Sequence, residues 1–142
     1  MADVRIQDVS YENAALVNVP AGTVLVQDLV NTTTVRNCAT SPAAALAVPL
    51  GIAMEPSQLD SAGAVRANAG WTVRIWGRTT AVAAGAIAIG DHVSIANVAG
   101  QVQTQVRALA GAQPAAIVGI AQTATTAAGQ GVEIDLTRGA TW

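Results

Sequence analysis

Short stretches in which apolar and polar residues alternate recur along this chain, divided by Gly, Pro, Asn and Asp. In Trp71–Arg78, Trp71, Val73 and Ile75 fall on one side of a period of two, and Thr72, Arg74 and Trp76 on the other. In Gly131–Arg138, Val132, Ile134 and Leu136 alternate with Glu133 and Asp135. Successive side chains of a strand point to opposite faces, so both stretches predict strands with one buried face. Asn97–Gly100 reads as a hairpin turn with a strand on each side, and Ser61-Ala62-Gly63 as a further turn. Ala43–Leu46 has helix propensity but lies between Pro42 and Pro49 and is too short for an independent helix. Turn signals at intervals of about 8–12 residues predict an all-β chain, a single compact β-sandwich or small barrel.

The pattern also repeats. Ala21-Gly22-Thr23-Val24-Leu25-Val26-Gln27-Asp28-Leu29-Val30 and Ala84-Gly85-Ala86-Ile87-Ala88-Ile89-Gly90-Asp91-His92-Val93 share A-G-x-[V/I]-x-[V/I]-x-D-x-V at a spacing of 63 residues. Gly51-Ile52-Ala53 recurs as Gly119-Ile120-Ala121, 68 residues on, and Val73–Trp76 matches Val132–Asp135 at 59. Three landmarks in one order predict a duplicated β-motif, with pseudo-repeats over about 21–78 and 84–138 inside a β domain of residues 20–142. Residues 1–19 stand apart, as an edge strand joined to the sheet or as an extended N-terminal arm lying on a neighbouring molecule. Val4, Ile6 and Tyr11 are the apolar and aromatic side chains such an arm would offer.

Composition sharpens this picture. Of the 142 residues 51% are hydrophobic, yet there is no Phe and a single Tyr, which suits closely spaced layers of small side chains. Charged residues make up 11%, well below the roughly 25% of ordinary domains, and the net charge is −2. A surface so poor in charge is most simply explained if other protein covers much of it. All seven basic residues are Arg, too few for the basic face that nucleic acid demands. Cys38 is the sole cysteine, which excludes an intramolecular disulfide. No apolar core of a signal peptide follows Met1 and no run approaches the ~18 apolar residues of a membrane-spanning helix, so a soluble protein is expected.

Candidate chemistry is sparse. His92 is the only histidine; Asp91 beside it would point to the opposite face of a strand and could not orient it. The matched acids Asp28 and Asp91 read as turn-holding residues rather than as an acid–base pair. No His/Cys cluster has zinc spacing, no phosphate loop is complete, and no cofactor is expected. The residues therefore point away from an enzyme. A hydrolase using Asp28, Asp91 or His92 is the catalytic alternative. The outward face of Trp71–Arg78 carries Arg74, Trp76 and Arg78, residue types that dominate binding hot spots. The matching stretch carries Glu133 and Asp135, so that Arg74 and Arg78 of one subunit are expected to meet Glu133 and Asp135 of another.

In its Ala/Gly/Val-rich make-up, its Ile87-Ala88-Ile89-Gly90-Asp91-His92-Val93 and its Ile117-Val118-Gly119-Ile120-Ala121, the chain resembles the capsid decoration (cement) proteins of tailed bacteriophages. The likeness runs from about Ala21 to Arg138 and rests on the order of weak motifs, with Gln27 in the first copy where the second has Gly90. It implies a β-rich homo-oligomer, commonly a trimer, made in the host bacterial cytoplasm and bound to the exterior of the virion capsid. There it would bridge neighbouring major capsid proteins and stabilise the shell, with no role for nucleic acid or membrane. A virion-associated receptor- or glycan-binding β-module is the alternative, drawing on Trp71, Trp76 and Trp142.

Overall fold

The computed structural model describes residues 6–13, 18–27, 34–37, 49–66, 70–97, 99–107, 110 and 115–137. All regular structure among them is β. The first five strands are β1 (Gln7–Asn13), β2 (Val24–Gln27), β3 (Thr34–Asn37), β4 (Pro49–Ala53) and β5 (Gly70–Trp76). The next five are β6 (Arg78–Val82), β7 (His92–Ile95), β8 (Val102–Thr104), β9 (Gly119–Ala121) and β10 (Gly131–Leu136). The all-β expectation holds, and no helical turn forms over Glu55–Asp60.

Each set of five makes one sheet. The first runs β1-β3-β2-β4-β5, and β1 also pairs antiparallel with β5, so the sheet closes on itself. Its closing seam is short: β1 meets β3 in parallel only at Glu12↔Thr34 and Asn13↔Val35. The second sheet runs β6-β10-β9-β7-β8. Its outer strands are linked by one parallel bridge, Ala83↔Val102.

With that bridge counted as closing the ring, the order of strands around both sheets is the same, each strand matching the one five places later. The ladders fix the correspondence residue by residue. Ile52 faces Arg74 and Ala53 faces Val73 in the first sheet; Ile120 faces Asp135 and Ala121 faces Ile134 in the second. Val24 lies opposite Ile52, and His92 opposite Ile120. Asp8 lies opposite Arg74, and Arg78 opposite Asp135. The turn before β2 has Gly22 at φ 86° with its N–H on the Ala53 carbonyl at 2.8 Å; Gly90 before β7 has φ 87° and donates to Ala121 at 2.8 Å. The two G-I-A landmarks thus occupy matching strands. The A-G-x-V alignment does not follow the ladders, because Ala21-Gly22 corresponds to Ile89-Gly90 and not to Ala84-Gly85. Ile87 makes only an isolated bridge to Thr125, and residues 88–91 form a turn.

Alternation decides the core. In β2, Leu25 packs inside the first sheet with Leu50, Ala53, Val73 and Ile75. Val24 and Val26 point the other way and join Ile52 against the second sheet's Val102, Val118, Ile134 and their neighbours. Both faces of β2 and β4 are therefore covered, which is why their sequences read as unbroken apolar runs. A register shift between Leu25 and Val26 helps β4 bury Leu50 and Ile52 on different sides.

Sequence pattern placed Trp71–Arg78 in one strand, but the structure breaks it. Gly77, at φ 100°, ends β5, and Arg78 opens β6 in the other sheet. Only glycine adopts that conformation readily, so the chain crosses between sheets there. Of the arm or edge strand expected over residues 1–19, Gln7–Asn13 is β1, held along β5 through six pairs and against β3 at its end. Val4 lies outside the described residues.

Candidate interaction surface

Outward positions of β5 are Arg74 and Trp76, alternating with buried Val73 and Ile75. Arg74 is fixed by a bidentate pair to Asp8 on β1: Nε donates to Oδ1 at 2.8 Å and Nη2 to Oδ2 at 3.1 Å. Its third nitrogen, Nη1, donates to the Arg78 carbonyl at 3.0 Å and so ties the two sheets at their crossing. The Arg74 hydrogen bond, helped by charge attraction and opposed by burial, holds the Asp8 carboxyl below its ordinary value, and the hydrogen bond to Asp8 raises Arg74 in turn.

The second sheet has the same pair with its signs exchanged. Arg78 on β6 donates from Nε to Asp135 Oδ1 at 2.9 Å and from Nη2 to Oδ2 at 3.3 Å. The Asp135 hydrogen bond raises Arg78, with attraction to Asp135 adding to it. The acid is on β1 and the base on β5 in the first half; the base is on β6 and the acid on β10 in the second. Opposite charges do occupy equivalent places, Arg74 against Asp135. Sequence spacing had matched Arg74 with Glu133, two residues away. Arg74, Arg78 and Asp135, expected to pair between subunits, are already paired within this chain.

Between the two sheets lies an open groove of about 430 Å³, lined by Met54, Arg74, Arg78, Thr80 and Glu133 among others. Its walls are β6 and β10 on one side and the turn before β2 with the end of β4 on the other, with Gly22 close enough that a Cβ there would lie 3.3 Å from the Thr80 carbonyl and from Val82. Arg78, Arg74 and Glu133 thus converge through the crossing at Gly77 rather than along one strand.

The exposed apolar side chains near this surface are Trp76, 47% exposed, and Ile6, 55% exposed. Gln7 lies opposite Trp76 in the β1–β5 ladder, so Ile6 is one residue from Trp76's register partner. Tyr11 lies opposite Trp71 in the same ladder. Asp8 was not singled out by the sequence; a lone acid in a short alternating stretch carries no signal until the register with Arg74 is known.

Of the candidate residues, Asp91 is tied into a turn. Asp91 Oδ2 accepts from the Ala88 N–H at 3.0 Å and from the Thr104 hydroxyl at 2.6 Å. These bonds, Thr104's first, hold its carboxyl below the ordinary value. It closes the turn into β7, as expected from the sequence. His92 starts β7 with its register partner Ile120 on β9. Asp28 lies outside the described residues. Among the described residues no group of three or more His, Cys, Asp or Glu is placed to hold a metal.

No protein-family model matches the chain, and no curated protein matches it. Among solved structures it resembles the N base of the head fiber gp8.5 of bacteriophage phi29, with a TM-score of 0.51 and 15% sequence identity. That likeness spans 92% of this chain and 95% of the other, so the two share a fold over nearly their whole lengths.

Proposed function

We propose that this protein is a structural component of a bacteriophage virion, non-enzymatic, that binds the capsid exterior and stabilises the shell by bridging neighbouring major capsid proteins. The observation that carries this reading is the fold shared, end to end, with the base of a phage head fiber. The sequence supports it independently: a low charge content favours a surface covered by other protein. Trp76 and Ile6, exposed at one end of the β1–β5 pair, supply apolar area of the kind that anchors interfaces. Arg74 is locked by Asp8 and the Arg78 carbonyl, so β5 is held as a rigid platform for Trp76.

The mechanism is additive. Each copy buries modest area on two neighbouring capsid subunits, and the symmetry of the shell multiplies that contribution without strong individual affinity. The experiment is to heat shells of candidate phage major capsid proteins, with and without added protein, following genome release or particle scattering. Decorated shells should withstand higher temperature, and Trp76→Ala should reduce occupancy at limiting protein. Absence of binding, or binding with no shift, refutes the bridging role. The exposed Trp76 also favours a receptor- or glycan-binding role, which predicts that free protein binds a glycan array and loses that binding in Trp76→Ala.

A further inference from the structure

Where β4 of the first sheet lies beside the end of β10 in the second, the seam holds a small cavity of about 10 Å³. Residues 49–51 line it from the first sheet, and Val118, Leu136 and Thr137 from the second. Two independent irregularities meet there. The first is a side chain. The Thr137 hydroxyl oxygen is buried and has no hydrogen-bond partner among the described residues. Nearly all buried polar groups are paired, because leaving one unpaired forfeits its hydration without return. The Thr137 N–H donates to the Val118 carbonyl at 3.0 Å, which fixes the residue's backbone beside the cavity.

The second irregularity is in the backbone. Leu25 lies opposite Gly51 and Val26 opposite Pro49, so the β2–β4 ladder passes over Leu50. The ladder from β4 to β5 holds Ile52↔Arg74 and Ala53↔Val73, and does not reach Leu50 either. A residue bulged in this way has its peptide groups outside the regular bonding, and Pro49 beside it has no N–H to give. The matching strand of the second half shows no such shift: Gly119, Ile120 and Ala121 pair with β10 in unbroken register. The duplicated fold therefore does not require the bulge, which is particular to the strand that faces Thr137.

A single water needs roughly 10–15 Å³ and two to four polar partners. The cavity has room for one such molecule and for no larger ligand. Its polar groups are a hydroxyl that both donates and accepts, on one sheet, and the peptide groups of the bulge, on the other. We propose that this cavity is a hydration site, in which one ordered water bridges the Thr137 hydroxyl to the bulged backbone at Leu50. The water ties the second sheet to the first at a point that neither ladder reaches, and a bridge of this kind is nearly as favourable as a direct hydrogen bond. The inference rests on the seam between the sheets alone and is independent of the capsid reading.

The test is a crystal structure of the full chain at a resolution that shows ordered water, together with the melting temperatures of Thr137→Val and Thr137→Ser. The expected result is one density peak within hydrogen-bond distance of Thr137 Oγ1 and of a backbone atom in residues 49–51. Thr137→Ser keeps the hydroxyl and should keep the peak. Thr137→Val keeps the shape but loses the hydroxyl, and should melt lower than the parent by roughly 2–8 °C, the shift expected for one lost hydrogen bond in a chain of this size. A dry, unpaired hydroxyl predicts the opposite sign, because its removal relieves a buried polar group. No peak in the parent crystal, or Thr137→Val melting at or above the parent, overturns the proposal; the parent crystal decides even where Thr137→Val fails to fold.

Discussion

At the scale of single residues, two ion pairs and two glycines define what this chain tolerates. Arg74 is the better shielded of the two arginines, its side chain 17% exposed against 43% for Arg78, and it alone bonds the other sheet's backbone. Arg74→Ala should therefore destabilise more than Arg78→Ala, although partly exposed pairs contribute at most about 1 kcal/mol. Denaturant midpoints of the two variants check the order. Asp8 and Asp91 are both held below the ordinary carboxylate value of 3.8 in the folded chain. Their contribution is complete above that value and is lost as pH falls through the lower folded values, when the unfolded chain binds protons more readily. The melting temperature should fall as pH drops below 3.8, and Asp91→Asn should flatten that dependence. A slope identical to the parent's would mean that Asp91 does not act through Thr104 and Ala88.

Gly51 and Gly119 occupy equivalent places and face the same obstacle. A Cβ on Gly51 would run into the Arg74 carbonyl, and one on Gly119 into the Asp135 carbonyl. Neither glycine is in the left-handed region; close approach of the neighbouring strand excludes a side chain. Gly51→Ala and Gly119→Ala should each destabilise by about 1–3 kcal/mol, the range for overpacked sites, read from chemical denaturation. The G-I-A repeat was legible in the sequence because this packing requirement is met twice by the same residue.

At the scale of strands, the sequence revealed elements more readily than it revealed their registers. Trp71–Trp76 and Gly131–Leu136 carry clean alternation, since each buries one face. The A-G-x-V match at 63 residues misled because Ala-Gly followed by alternating apolar residues suits both a strand and a bridge-plus-turn. Only the ladder, which sets Gly90 against Ala121 as Gly22 is set against Ala53, distinguishes the two. The break at Gly77 was hidden because Arg78, two residues after Trp76, keeps to the outward side of the same period of two. Arg74 and Arg78 were read as outward-facing, which they are, but their partners depended on which strands lie beside them. The same reasoning predicts unequal costs at matching strands. Ile52 is fully buried between the sheets, while Ile120 is only partly buried. Ile52→Ala should cost about 2–5 kcal/mol, and Ile120→Ala clearly less. Equal losses would mean that the outer face of β4 is not the seat of the second half.

At the scale of the molecule, a chain with few charges and small core side chains builds two sheets of the same strand order, stacked through unlike faces. The bidentate pairs at the crossing hold β1 to β5 and β6 to β10. The fold is the one shared with a phage head-fiber base, and the role proposed for it is docking on a capsid exterior. The most direct test of that role is electron cryo-microscopy of shells assembled from candidate phage major capsid proteins, with this protein in excess. The expected result is added density on the outer surface, fitted by the two-sheet fold and touching more than one capsid subunit. Bare shells under saturating protein, or density confined to the inner surface, would contradict it.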